Sequence, residues 1–191
     1  MILKASHLLR DFCDDNGYSF SPIYTDTDSL IFEIKTKKKS SYQELYDQMY
    51  EHPELNSILD FNSLGEDKFK DSIRDKAFGL MSSECTYRDN ITKIFCISAK
   101  CYAYETESGA VTLKGKGCSN TLLKENISIK DYERCVYDYS FKPTVKYSEF
   151  VKANMVIKTN DTKKVALCNS DLKSFAKRNP NRSIDLINIG Y

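Results

Sequence analysis

Seven cysteines occur in this 191-residue chain, yet no two stand at C-x-x-C spacing, and there are only two histidines, His7 and His52. An odd thiol count without close pairs argues against a disulfide framework, and so few imidazoles argue against a zinc site. A reducing, intracellular compartment is therefore expected. No apolar run approaches the roughly 20 residues of a membrane span, and no signal-peptide pattern opens the sequence, so a membrane is not an expected partner. The G-x-x-x-x-G-K-[ST] spacing of a P-loop is missing, although Lys114-Gly115-Lys116-Gly117 carries glycine and lysine together. Internal repeats and low-complexity blocks are absent too.

What is present describes a globular chain. Apolar residues make up 41% and charged residues 29%, enough to bury a core in one ordinary domain or two small ones. A net charge of +1 hides an asymmetry: Met1 to Leu113 holds 13 Lys/Arg against 19 Asp/Glu, while Lys114 to Arg182 holds 15 against 7. Charge changes sign near Leu113 to Lys116, where a boundary is expected. An acidic half beside a basic half suits a cation site next to a surface for polyanions, although a basic face can also be merely solvated.

Periodicity predicts a helix over Met1 to Asn16, with Ile2, Ala5, Leu9 and Phe12 on one face and Asn16-Gly17 as its stop. A second helix is expected over Ser41 to His52, capped by Ser41-x-x-Glu44 and ended by Pro53. Its Tyr42, Tyr46 and Tyr50 read as packing residues rather than a stacking platform. Lys35 to Lys39 reads as a basic tether, and Glu54 to Asp75 as irregular, anchored by Leu55, Ile58, Leu59 and Phe61. Strands are expected over Lys76 to Glu84, Ile91 to Ser98, Lys100 to Glu105 and Ala110 to Lys114. Ser128-x-x-Asp131 caps a helix whose apolar face is Tyr132, Cys135, Val136 and Tyr139. A hairpin is expected from Asn154 to Thr159 and Lys163 to Cys168 across Asn160-Asp161, before a basic tail with Lys173, Lys177, Arg178 and Arg182.

The most informative stretch is Ile23-Tyr24-Thr25-Asp26-Thr27-Asp28-Ser29-Leu30-Ile31-Phe32. Apolar runs over Tyr18 to Tyr24 and Leu30 to Ile34 flank an acidic turn, the pattern of a β-hairpin with carboxylates at its tip. If the chain stays extended there, Asp26 and Asp28 share a face roughly 7 Å apart, two strand rises. Side chains so spaced can share or flank a hard divalent ion, which suits metal-assisted phosphoryl chemistry. Taken by itself, a D-x-D pair is an ordinary solvated turn. An EF-hand is excluded, because Leu30, Ile31 and Lys37 stand where an acidic ligand, the glycine and the bidentate Glu belong.

The frame Tyr-x-Asp-Thr-Asp-Ser-Leu-Ile-Phe resembles the palm motif (motif C) of family B DNA polymerases. Downstream, Ala99-Lys100-Cys101-Tyr102 resembles the K-x-Y motif of protein-primed members, and Lys114-Gly115-Lys116-Gly117 resembles the stretch that begins their thumb. Phe78 to Glu84 is similar to the strand before K-x-Y, with Leu80 in place of a basic residue. Val165 to Lys173 is similar to a late thumb segment of viral and transposon-like members. The resemblance implies an α+β fold. Residues 1–113 would form a partial palm, an antiparallel sheet with a catalytic hairpin and packed helices. Residues 114–191 would form a small thumb of helices and a β-hairpin.

It also implies roles. Asp26 and Asp28 would be catalytic carboxylates, with Asp28 the direct metal ligand and Asp26 a second ligand or an electrostatic tuner. The cofactors would be Mg²⁺ or Mn²⁺, two ions in the complete enzyme. Lys100 and Tyr102 would hold the primer end, and Lys114 and Lys116 backbone phosphates. Implied partners are a DNA primer-template, a deoxynucleoside triphosphate, an upstream polymerase half and a terminal protein, in the nucleus or cytoplasm of an infected or host cell. Motifs A and B and the exonuclease carboxylates have no counterpart, and Asp131-Tyr132-Glu133 sits in a basic helix. One hairpin cannot hold both ions. A C-terminal fragment, inactive alone, is therefore expected. The rivals are a non-catalytic DNA-binding remnant and an unrelated divalent-metal protein.

Overall fold

The computed structural model describes residues 1–36, 41–75, 77–153, 156–169, 174–178 and 184–188. Among the described residues, five α-helices and several small sheets, mostly antiparallel, give a mixed α+β fold. It divides into two compact units: Met1–Thr92 with Thr106–Ala110, and Lys93–Glu105 with Val111–Tyr191. No helix among the described residues is long and apolar enough to cross a membrane.

In the first unit, α1 (Ile2–Asp15) buries Ala5, Leu9, Phe12 and Cys13, an i, i+4, i+7, i+8 stripe. Its stop follows from Asn16-Gly17. Gly17 takes φ +67°, its N–H donates to Asp14 O, and the Tyr18 N–H reaches Cys13 O at 2.7 Å, a complete Schellman closure that a β-carbon would disfavour. β1 (Ser19–Thr25) and β2 (Leu30–Lys35) then pair antiparallel. α2 (Tyr42–Glu51) is capped by Ser41, whose hydroxyl accepts from the Glu44 N–H.

Pro53 does not simply end that helix. It opens α3 (Pro53–Ile58) at the first helical position, where its missing N–H costs nothing. The stretch expected to be irregular thus contains a helix, the two-residue strand β3 (Leu59–Asp60), and 3₁₀ turns over Phe61–Leu64 and Asp67–Phe69. Leu9, Phe12, Cys13, Met49, Leu55, Phe61, Leu64 and Phe69 make the core of this unit, with Phe20, Leu30, Phe32 and Ile34 of the hairpin packed against it. Tyr50, Phe61, Phe69 and Tyr87 meet at 5.0 to 5.7 Å between centroids. The expected strand over Lys76 to Glu84 shrinks to β4 (Met81–Ser82), parallel to β3. Gly79 turns the chain at φ +86° and Phe78 is fully exposed; Lys76 lies outside the described residues.

The second unit is built on β5 (Ile91–Ser98, in it from Lys93), β6 (Cys101–Thr106) and β7 (Val111–Lys114), one three-stranded sheet. α4 (Asn120–Asn126) and α5 (Ile129–Tyr137) follow. At the start of α5 both the Ser128 N–H and its hydroxyl donate to Asp131 Oδ2, at 2.8 and 2.7 Å. Tyr132 and Cys135 are buried there, whereas Tyr139 lies beyond the helix, 68% exposed. The core joins Cys101, Ala103, Leu113, Leu123, Ile127, Tyr132, Cys135, Val145, Ala166 and Leu167.

The last hairpin differs from expectation. β8 (Thr144–Ala153) pairs with β9 (Val156–Val165), and Asn160 and Asp161 are mid-strand, opposite Glu149 and Ser148. Ten cross-strand pairs outweigh a turn signal of two residues. Asn154, where a strand was expected to start, lies outside the described residues, as do Lys37 to Lys39, Lys173 and Arg182. β10 (Ser174–Arg178) and β11 (Ile184–Asn188) form a further antiparallel ladder where a tail was expected.

Candidate metal-binding hairpin and polyanion loop

The acidic turn occupies the tip of the β1–β2 hairpin. Register runs from Ser19↔Lys35 to Pro22↔Phe32, slips by one, and resumes with Tyr24↔Ile31 and Thr25↔Leu30, leaving Ile23 as a bulge. A bulge bends and twists a ladder and re-aims the side chains beyond it. Pro22, which has no N–H to give, is tolerated beside it. Beyond Thr25 the Asp26 N–H donates to Ser29 O at 3.0 Å, and Thr27 and Asp28 form the bend. The chain therefore does not remain extended through the tip, and the spacing of two strand rises does not apply. Hydrogen bonding within the turn wins over the extended alternative. Asp26 Oδ1 accepts the Thr27 N–H at 2.7 Å and the Thr27 hydroxyl at 3.2 Å, the local side-chain closure typical of Asp in turns.

Asp28 is exposed and makes no hydrogen bond or ion pair among the described residues. Its carboxylate is thus a solvent-facing hard oxygen donor next to a second one already oriented by Thr27. That donor set fits one side of a divalent cation such as Mg²⁺, which prefers carboxylates and keeps several waters. It does not fill a coordination sphere. No group of three or more His, Cys, Asp or Glu side chains among the described residues could hold a metal.

The remaining candidate residues belong to the other unit, where the β6–β7 ladder brings them together. Tyr102 stands directly opposite Lys114, so two motifs a dozen residues apart in sequence share one end of one ladder. Lys100, the second of two residues between β5 and β6, adopts φ +61°. Left-handed backbone at a residue with a side chain costs roughly 1–2 kcal/mol and is uncommon outside turns and functional sites. Lys100 is exposed and Lys114 half-buried. Tyr102 is buried, 7% exposed, with its ring stacked on Tyr104 at 6.4 Å.

Lys114 to Gly117 form a loop pinned from two directions. The Tyr132 hydroxyl, on a side chain with no exposure, donates to Lys114 O at 2.9 Å. Burial pushes the Cys101 thiol of β6 up to about 11 and so keeps it neutral. Lys164 Nζ donates to Gly117 O at 2.7 Å. Gly117 is left-handed at φ +71°, and a β-carbon there would come within 2.5 Å of Lys164 Nζ. A β-carbon on Gly115 would stand 3.0 Å from a methyl of the fully buried Leu123. The result is a fixed backbone that leaves the Lys116 side chain exposed. Nothing in the sequence marks Lys164 as a loop support. Only the helical spacing of Tyr132 hinted at burial, and nothing hinted at the target of its hydroxyl.

No protein-family model, curated protein or solved structure matches this chain.

Proposed function

We propose that the chain is the C-terminal palm-and-thumb part of a protein-primed family B DNA polymerase, with a partial palm up to residue 113 and a thumb from 114. The observation that carries this reading is the Tyr-x-Asp-Thr-Asp-Ser run at the exposed tip of an antiparallel, bulged hairpin. The meeting of Tyr102 and Lys114 across one ladder supports it.

In this reading Asp28 holds a divalent ion, and Asp26, held by Thr27, shapes the bend and adds negative field. When bound, Mg²⁺ or Mn²⁺ would lower the pKa of the primer 3′-hydroxyl and neutralise charge on the pyrophosphate leaving group. The Lys100 ammonium and the Tyr102 phenol steady the primer end. Lys114 and Lys116 take backbone phosphates without reading sequence. An upstream chain supplies the other metal ligands and the nucleotide-binding fingers, and a terminal protein primes synthesis.

The isolated chain should bind primer-template DNA in a salt-sensitive, sequence-blind way and incorporate no labelled deoxynucleotide with Mg²⁺. Asp28→Ala should leave DNA affinity intact and abolish incorporation when the upstream half is supplied. Incorporation by the chain alone would overturn the fragment assignment, and lack of salt-dependent DNA binding would overturn the whole reading. Burial of Tyr102 favours the second reading, a non-catalytic DNA-binding remnant, because a phenol that meets a primer must be reachable. In that case Asp28→Ala changes nothing measurable.

A further inference from the structure

The β8–β9 hairpin has two unlike faces. Val145 is buried, and Tyr147, Thr162 and Lys164 are half-buried, whereas Thr144, Lys146, Ser148, Asp161, Lys163 and Val165 are exposed. This is the alternation of a ladder with one side on a core. On the exposed side Lys146 stands directly opposite Lys163. Like charges at opposed positions destabilise a ladder, and neither ammonium has an ion pair or hydrogen bond among the described residues. The next pair along that face, Ser148 and Asp161, is closed on itself by a hydrogen bond from the serine hydroxyl to the carboxylate.

The adjacent residue, Lys164, faces the other way and ties the strand to Gly117 O. That bond fastens β9 to the Lys114–Gly117 loop, so the strand that presents Lys163 and the loop that presents Lys116 are one mechanical piece. A row of uncompensated ammoniums on a fixed scaffold is a poor arrangement for folding and a good one for a polyanion. We propose that Lys146 and Lys163 form a two-ammonium clamp for a phosphate of a nucleic-acid backbone, extending the Lys114–Lys116 surface along the hairpin. The inference rests on the DNA-binding part of the reading above and names residues that part does not include.

The test is duplex-DNA binding by fluorescence anisotropy across a salt series, with thermal melting alongside. Lys146→Gln with Lys163→Gln should lower the slope of log affinity against log salt by roughly one, at about 0.9 per phosphate neutralised. Lys93→Gln is the control, since that ammonium is spent on Glu105 at 3.4 Å, and its slope should match the wild type. Lys163→Glu should raise the melting temperature, by replacing a repulsive pair with an attractive one, while weakening DNA binding tenfold or more. If the wild type binds DNA and the double variant keeps its slope, the clamp is wrong while the DNA reading stands. If the wild type does not bind DNA, both fall. Inorganic phosphate raising the wild-type melting temperature where duplex DNA does not would overturn the assignment to nucleic acid.

Discussion

The acidic bend at Asp26–Ser29 and the basic loop at Lys114–Gly117 are both short turns at strand ends, but they are held by opposite means. The bend is closed by its own residues: the Asp26 N–H on Ser29 O, and Thr27 on the Asp26 carboxylate. The loop is closed by side chains from α5 and β9. A turn closed on itself can be cut without unfolding its surroundings. A turn held from two distant elements shares their fate. The first arrangement suits residues that meet an ion, and the second suits a backbone that must not yield when a polymer presses on it.

Substitutions can break this contrast, and the largest effect is expected at the loop. Tyr132→Ala should cost about 3–5 kcal/mol in chemical denaturation, the range for truncating a buried aromatic. Tyr132→Phe should cost about 1–3 kcal/mol, from leaving the Lys114 carbonyl without its donor in a buried site. Gly117→Ala should cost about 1–2 kcal/mol through its left-handed backbone and should displace Lys164, lowering the salt slope of DNA binding. At the bend, Asp28→Ala should stay within about 0.5 kcal/mol of the wild type, as expected for a surface residue without partners. A large loss at Asp28, or none at Tyr132, would erase the distinction.

Acid sharpens it further. The Thr106–Ala110 turn hangs on Asp89, whose carboxylate accepts the Ser108 hydroxyl and N–H and the Thr106 hydroxyl at 2.6 to 2.9 Å. Those hydrogen bonds, from the Ser108 side chain first, hold Asp89 below the usual carboxylate range. A lowered folded pKa means the stabilisation is fully present above the ordinary Asp value and is lost as pH falls through the folded one. Protection of the Ser108 amide against exchange, relative to its intrinsic rate at each pH, should therefore fall on acidification below about pH 4, the ordinary Asp range. The Lys114–Gly117 loop, held by a phenol and an ammonium, should be unchanged there. Asp89→Asn should remove the pH dependence of that protection.

The same contrast explains how much could be read from the sequence. Elements closed by neighbours in the chain were legible. These include α1 with its Asn16-Gly17 stop, the β1–β2 strands flanking an Asp-rich turn, and the Ser41 and Ser128 caps. Elements closed from afar were not. Asn160-Asp161 looks like a turn, but Ser148 and Glu149 pair with it from more than ten residues away. Pro53 reads as a stop, yet it serves equally as a first helical residue once Leu55 and Ile58 find a core. At the sites, the acidic tip was visible as a motif, while its bend depends on hydrogen-bond geometry that spacing does not encode. Helical spacing marks Tyr132 as buried, but the target of its hydroxyl, the reach of Lys164, and Asn169, whose amide donates to the carbonyls of Cys135 and Val136, carry no signal in a single sequence.

The central claim is that the Asp26–Asp28 tip takes a hard divalent cation, and Mn²⁺-induced broadening of backbone amide signals addresses it most directly. In the wild-type chain, broadening should centre on Thr25 to Leu30 and should be displaced by excess Mg²⁺. In Asp28→Ala it should vanish there while other signals keep their intensity. Broadening at the tip that survives Asp28→Ala, or broadening spread evenly over the acidic surface, would contradict it.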